Sequence, residues 1–106
     1  MIKLVYCITR RPGMSQADFS DYFEKVHGPI GRRIPGLRRL VQSYSLPPDD
    51  DTRPGFDGMA ELWFDDMKAL TRARRSREWA ASTADEKNFI DHARVAYFIC
   101  EEKEIS

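Results

Sequence analysis

Cysteine, net charge and long apolar runs are all scarce in this 106-residue sequence. Its two cysteines, Cys7 and Cys100, stand inside apolar segments, which indicates buried thiols in a reducing compartment rather than a disulfide framework. The 17 Lys and Arg balance the 17 Asp and Glu, so the basic excess of a nucleic-acid binder is missing. No apolar run approaches the roughly 20 residues of a membrane span, and the N-terminus lacks the layout of a signal peptide. We therefore expect a cytoplasmic protein with no nucleic-acid or membrane partner.

What the sequence does contain is typical of a globular domain. Hydrophobic residues make up 42% of the chain and charged residues 32%, a composition that excludes disordered and collagen-like proteins. A chain of this length buries a real core without disulfides. We expect one domain over residues 1–106.

Apolar periodicity predicts four strands and two helical regions. The strands are expected at residues 2–9, 37–46, 59–64 and 93–100. The first helix is expected to begin at Ser15 and to be stopped by Gly28 and Pro29 directly after His27. The second helical region is expected to start at Asp65 or Asp66 and to reach about residue 90. Residues 47–58, with Asp49, Asp50 and Asp51, are interpreted as a long loop, either solvated or a functional lid.

The order β-α-β-β-α-β is the ferredoxin-like plan, an α+β fold in which both helices cover one face of a four-stranded antiparallel sheet. The first and last strands are apolar on both faces, and the third carries Met59 and Trp63 on its second face. The apolar side chains on this second face must be buried against another surface, so we expect a homodimer packed sheet against sheet. Glu61 would then lie beside Trp63. Either it is an unpaired carboxylate with a raised pKa, suited to acid or base work, or it pairs with a neighbouring Arg or Lys.

The sequence resembles the EthD family over nearly its whole length. The resemblance is carried by MIKLV, RRPGMS, DFSDYFEKVHGP, RRIPGLRR, FDGMAELWFDD and EKNFIDHARVAYFICEE, in this order. It implies a dimeric α+β barrel, and an association with the oxidative degradation of ethers under a generic oxidoreductase label. Proteins of the same fold include monooxygenases, lactone isomerases and dehydratases or decarboxylases, so the fold alone does not fix the reaction.

His27 matches the His-x-Pro position of the family and is the first candidate catalytic residue. Histidine exchanges protons near neutral pH, which suits a general acid or base. The alternative is a histidine that only interacts with the end of its helix. His92, beside Asp91, is interpreted as a surface residue, because the topology separates Asp91 from His27. Glu61 is the second candidate catalytic residue.

Four aromatic residues are candidates for lining a substrate pocket, although aromatic side chains often serve only as core. They are Tyr6, Tyr44, Trp63 and Trp79. The active site is expected inside the barrel that two sheets close.

The sequence has no metal-ligand spacing, phosphate loop or nucleophile motif, so no metal and no cofactor are expected. The leading hypothesis is a cofactor-independent oxidoreductase or monooxygenase acting on a small apolar molecule. The alternatives are a lactone isomerase, a dehydratase or decarboxylase, a non-catalytic carrier of a small molecule, and a structural dimer with a solid interior.

Overall fold

The computed structural model describes residues 1–48, 50 and 52–106, so the predicted loop residues Asp49 and Asp51 lie outside the described part. Within the described residues, the strands are β1 (Ile2–Ile8), β2 (Arg39–Tyr44), β3 (Gly58–Phe64) and β4 (Ala96–Cys100). They form one antiparallel sheet in the order β2-β3-β1-β4. This is the ferredoxin-like arrangement that the order of elements predicts.

The helical segments connect β1 to β2 and β3 to β4. The first connection contains α1 (Gln16–Tyr22), a π-helical turn (Phe23–His27) and α2 (Gly28–Gly31); the second contains α3 (Met67–Arg74), α4 (Arg77–Asp85) and a 3₁₀ turn (Glu86–Asn88). A further 3₁₀ turn, His92–Arg94, precedes β4, so this strand begins at Ala96 and not at the predicted residue 93. No helix formed by the described residues has the length and apolar character needed to cross a bilayer.

The core lies between the helices and one face of the sheet. Side chains alternate along a strand, so Leu4 and Ile8 of β1 lie on the same face as Leu62 and Phe64 of β3. These four are buried in one cluster with helical side chains. The largest fully buried side chains from the two helical connections are Phe19, Phe23, Leu70 and Phe89.

The first helix begins as predicted but does not end as predicted. The Ser15 hydroxyl accepts a hydrogen bond from the Asp18 backbone N–H at 3.0 Å, which caps α1. Gly28 and Pro29 do not stop the helix, because Pro29 falls in the first turn of α2, where its missing N–H costs little. The Gly28 N–H instead closes the π turn by bonding the Phe23 carbonyl. His27 therefore lies within a continuous helical segment and not at a helix end.

The other face of the sheet carries a group of charges around Trp63. Lys3 Nζ lies 2.7 Å from Glu61 Oε2. The Trp63 ring is flanked by Lys3 Nζ at 5.1 Å and by the Arg39 guanidinium at 4.6 Å from its centroid. Its Nε1–H donates to Glu102 at 3.0 Å. Of the two alternatives for Glu61, the structure contains the ion pair with Lys3 and not the unpaired carboxylate.

The cysteines lie on this same face and are free thiols. Cys7 and Cys100 are half-buried and not fully buried as expected from their apolar surroundings. Their partners across the sheet, Ala96 and Lys3, leave them partly open to solvent. Burial nevertheless raises the pKa of the Cys7 thiol, which opposes its reactivity.

Candidate functional site

A cavity of about 370 Å³ lies between the helices and the helix-facing side of the sheet. Its floor is apolar and is formed by Leu4, Leu40, Ala60 and Leu62 from three adjacent strands. The volume and the apolar lining are typical of a small-molecule site. This cavity lies within one chain and on the opposite side of the sheet from the predicted barrel interior.

The helical wall of the cavity comes close to the sheet at Gly28. A Cβ atom at this position would lie 3.2 Å from Gln42 Nε2, which is tighter than ordinary contact. Gln42 Nε2 donates a hydrogen bond of 2.8 Å to the Phe23 carbonyl, so strand β2 is tied to the π turn. This contact fixes the part of the helix that carries His27.

His27 lines the cavity and contacts a carboxylate from α4. Its Nδ1 lies 2.9 Å from Asp85 Oδ2, and both side chains are largely buried. The imidazole ring packs on Phe89, with 4.7 Å between ring centroids. Its Nε2 lies 3.5 Å from the hydroxyl of Ser82, another cavity-lining residue. The ring is thus held by a carboxylate on one nitrogen while the other lies beside a cavity-lining side chain.

Asp85 is an ionised acceptor in this arrangement. Tyr22 donates its hydroxyl to Oδ1 at 2.5 Å, and Asn88 donates to the same oxygen at 3.0 Å. Burial is the largest single influence and opposes ionisation, but the hydrogen bonds from Tyr22, His27 and Asn88 together lower the pKa of Asp85. Because an ionised carboxylate only accepts, the proton of neutral His27 belongs on Nδ1. Nε2 is then free to accept a proton.

A second group of polar residues lies at the β1 and β4 side of the cavity. The Tyr6 hydroxyl donates to Glu86 Oε1 at 3.3 Å, and His92 Nε2 lies 3.0 Å from the same oxygen. Burial, assisted by the charge of Glu86, raises the pKa of Tyr6 to about 12. Tyr6 is therefore a neutral hydrogen-bond donor at physiological pH.

The predicted site residues divide between the two faces of the sheet. His27, Tyr6 and Trp79 line the cavity. Tyr44 packs its ring on Phe23 at 5.6 Å between centroids and hydrogen-bonds Gln42, without lining the cavity. Glu61 and Trp63 lie on the far face, because side chains of consecutive residues on β3 alternate and the cavity floor uses Ala60 and Leu62. Within the described part of this chain, the cavity that contains His27 and Trp79 does not include Glu61 or Trp63.

The sequence interpretation missed Asp85 and Glu86. Asp85 is the last residue of α4 and Glu86 follows it, and the pairing of Asp85 with His27 spans 58 positions. No local spacing relates residues so far apart, and an acid near a helix end is ordinary on a solvated surface. Among the described residues, no three His, Cys, Asp or Glu side chains are grouped so that they could hold a metal ion.

The sheet, its helical cover and the enclosed cavity define an α+β protein of ferredoxin-like topology with a site of small-molecule size. The EthD domain profile matches residues 11–93. The chain belongs to the EthD family.

Solved structures extend this comparison. An EthD family protein from Bacillus halodurans is 30% identical, with a TM-score of 0.79 over 97% of this chain and 99% of that one. SnoaB, a cofactor-independent oxygenase from Streptomyces nogalater, is 16% identical, with a TM-score of 0.66 over 97% and 93% of the two chains. A dimeric ferredoxin-like protein of unknown function from Thermobifida fusca is 11% identical, with a TM-score of 0.72 over 93% and 88%. The last two similarities concern the fold alone. No match was found among curated proteins.

Proposed function

We propose that this protein binds a small, largely apolar organic molecule in the cavity and that His27 moves a proton on it. The observation that carries the proposal is the 2.9 Å contact between His27 and Asp85 in the wall of an apolar cavity. A histidine whose Nδ1–H is held by a carboxylate presents Nε2 as a general base of fixed orientation.

The proposed step is abstraction of an acidic proton from the bound molecule. Nε2 of His27 takes the proton, and the imidazolium that forms is stabilised by the ionised Asp85. The electron pair left on the substrate is delocalised as an enolate or phenolate. Return of a proton at another atom gives an isomerisation, and loss of a leaving group gives an elimination.

Oxygenation is a further outcome of the same step. The deprotonated substrate would donate its electrons to dioxygen, which needs no cofactor. The fold similarity to the oxygenase SnoaB supports keeping this reaction among the candidates. An oxidoreductase role in ether degradation, as the family resemblance implies, remains within this proposal.

Glu61 has no part in the proposed chemistry. Its carboxylate is paired with Lys3 and lies on the face of the sheet away from the cavity. The proposed site consists of His27 as base, Asp85 as the residue that positions it, and Tyr6 and Trp79 as part of the lining.

The test uses 2-tetralone, a bicyclic aromatic ketone with enolisable C–H bonds. Incubation in deuterated buffer is followed by NMR, which measures replacement of the acidic hydrogens by deuterium. We expect the native protein to accelerate this exchange and His27→Gln to lose about 10²-fold or more of the acceleration. Glu61→Gln is the matched control and should accelerate the exchange as the native protein does.

The same ligand and protein variants distinguish a catalytic protein from a non-catalytic carrier. Binding of 2-tetralone without accelerated exchange, measured by calorimetry and NMR, would favour a non-catalytic carrier. Exchange that is equal in native protein and His27→Gln would contradict the catalytic role of His27.

We also propose that the chain forms a homodimer through the sheet face that the helices leave uncovered. Phe98 on β4 is 56% exposed and shares this face with Val5, its partner across the sheet. Exposed large apolar side chains on a sheet favour association. The description of the Thermobifida fusca protein as dimeric supports the proposal at the level of the fold.

A further inference from the structure

Glu86 connects the cavity to the surface through two hydrogen bonds. The residue follows α4 directly and lines the cavity together with Tyr6. Its Oε1 accepts from the Tyr6 hydroxyl at 3.3 Å and lies 3.0 Å from His92 Nε2. The Glu86 side chain is 15% exposed, whereas that of His92 is 51% exposed. The chain of contacts therefore runs from the cavity wall to solvent.

These contacts differ from an ordinary surface pair of Glu and His, which contributes little. Both hydrogen bonds use Oε1, and Oε2 accepts none from the described residues. Tyr97 of β4 lies beside Tyr6, with 6.3 Å between ring centroids, and lines the same cavity. The other titratable or charged groups of the lining are His27 and Arg74. Glu86 is thus the carboxylate that this side of the cavity presents to a ligand.

We propose that Glu86 delivers protons into the cavity and that His92 supplies them from solvent. This inference rests on the proposed function, because it requires a ligand in the cavity. It assigns Glu86 as the acid that complements His27 as the base, so that one proton is removed and another is added. An isomerisation or an elimination has this requirement.

The transfer balances without any other reactant. An ionised Glu86 only accepts, so the proton of neutral His92 belongs on Nε2. A hydronium ion of the solvent protonates Nδ1 of His92 and becomes water; the Nε2–H bond then breaks as an O–H bond forms on Glu86. The carboxylic acid gives this proton to the ligand and becomes a carboxylate again. The half-exposed His92 ring regains its first tautomer by exchange with water.

The first experiment needs no ligand and measures the titration of the His92 imidazole by NMR. Tyr6→Phe removes one hydrogen-bond donor from Glu86, so the Glu86 carboxylate attracts the His92 imidazolium more strongly and the titration midpoint of His92 should rise relative to native protein. Glu86→Gln removes the carboxylate and should lower the midpoint. Glu78→Gln, a carboxylate of α4 that does not line the cavity, is the control and should change nothing. An unchanged midpoint in Tyr6→Phe would overturn the proposal.

The second experiment uses 2-naphthoate as an anionic probe and 2-naphthol as its neutral counterpart. Calorimetry near pH 6.5 in buffers of different ionisation enthalpy counts the protons taken up on binding. An anion beside Glu86 should draw a proton onto the Glu86 and His92 pair in native protein and in Glu78→Gln, and 2-naphthol should draw none. Uptake should be smaller in Glu86→Gln than in native protein and in Glu78→Gln.

The outcomes separate this proposal from the proposed function. Equal uptake of protons in native protein and Glu86→Gln would overturn the proton route while leaving the cavity as a binding site. Failure of both probes to bind native protein would count against the proposed function. The titration of His92 in Tyr6→Phe would then decide the proton route by itself.

Discussion

The imidazole Nδ1 of His27 lies 2.9 Å from the carboxylate Oδ2 of Asp85. The first residue belongs to the π turn between α1 and α2, and the second ends α4. Contact between two separate helical elements in the wall of one cavity gives the histidine a fixed orientation.

Asp85 should stabilise the folded protein in a pH-dependent way. Its pKa is lower in the folded protein than the usual value of about 3.9, so its stabilisation is complete above that value and is lost as the pH falls through the folded pKa. We expect Asp85→Asn to lower the free energy of unfolding by about 1–3 kcal/mol at about pH 5, with the difference shrinking towards about pH 3. Urea unfolding at the two pH values measures this.

The control is Asp21→Asn, which changes an exposed carboxylate on α1. Its effect on unfolding should be small at both pH values. A loss of stability in Asp85→Asn that is the same at both pH values would contradict an ionised Asp85 in the folded protein.

Glu61→Gln should affect stability and leave cavity binding unchanged. Lys3 would lose a partner at 2.7 Å on a face where both side chains are mostly buried, which costs about 1 kcal/mol or more. The affinity for 2-naphthol, measured by calorimetry, should remain within about twofold of native, because the residue lies across the sheet from the cavity. A loss of affinity of tenfold or more would show that Glu61 acts on the site.

Phe98→Glu should prevent dimer formation. The substitution replaces an apolar side chain, 56% exposed on the open face of the sheet, by a charged one that would have to be buried in the dimer interface. Sedimentation velocity should show a dimer for native protein and a monomer for the variant. Met67→Glu, at a 48% exposed position on α3, is the control and should remain dimeric. A native protein that sediments as a monomer would refute the proposed interface.

Two glycines should respond oppositely to the same substitution. Gly31 is helical, and a Cβ there would lie at ordinary contact distance, 3.7 Å, from Leu40 Cδ2, so Gly31→Ala should raise the free energy of unfolding by about 0.5–1 kcal/mol. Gly36 has φ of +78°, which strains any other residue, so Gly36→Ala should lower it by about 1 kcal/mol or more. Urea denaturation of both variants tests the pair, and the same sign for both would contradict the backbone conformations.

The sequence predicts the fold well and the site only in part. Strand periodicity and the Ser15 cap are local signals, and they place the sheet and the start of α1 correctly. The end of the first helix is wrong because the π turn accommodates Gly28 and Pro29, an arrangement that depends on contacts such as the one from Gln42 to the Phe23 carbonyl.

For the site, the family motif and the chemistry of histidine single out His27, which does line the cavity. Asp85 and Glu86 are not predictable, because their roles depend on how α4 packs over the sheet. Alternation correctly separates the two faces of β3, yet the sequence alone does not say which face borders the cavity. For this reason Glu61 and Trp63, which the sequence places correctly on the second face, are grouped with His27 in one predicted site although the cavity lies on the other side of the sheet.

The most direct test of the central claim uses the two tryptophans of the chain, Trp79 on α4 and Trp63 on β3, which lie on opposite sides of the sheet. Trp79 lines the cavity, and Trp63 lies among charges on the other face. Their indole N–H signals are followed by NMR while 2-naphthol is added. If the cavity is the ligand site, the Trp79 signal shifts in a saturable manner and the Trp63 signal stays in place. A saturable shift of Trp63 with Trp79 unmoved would contradict the account.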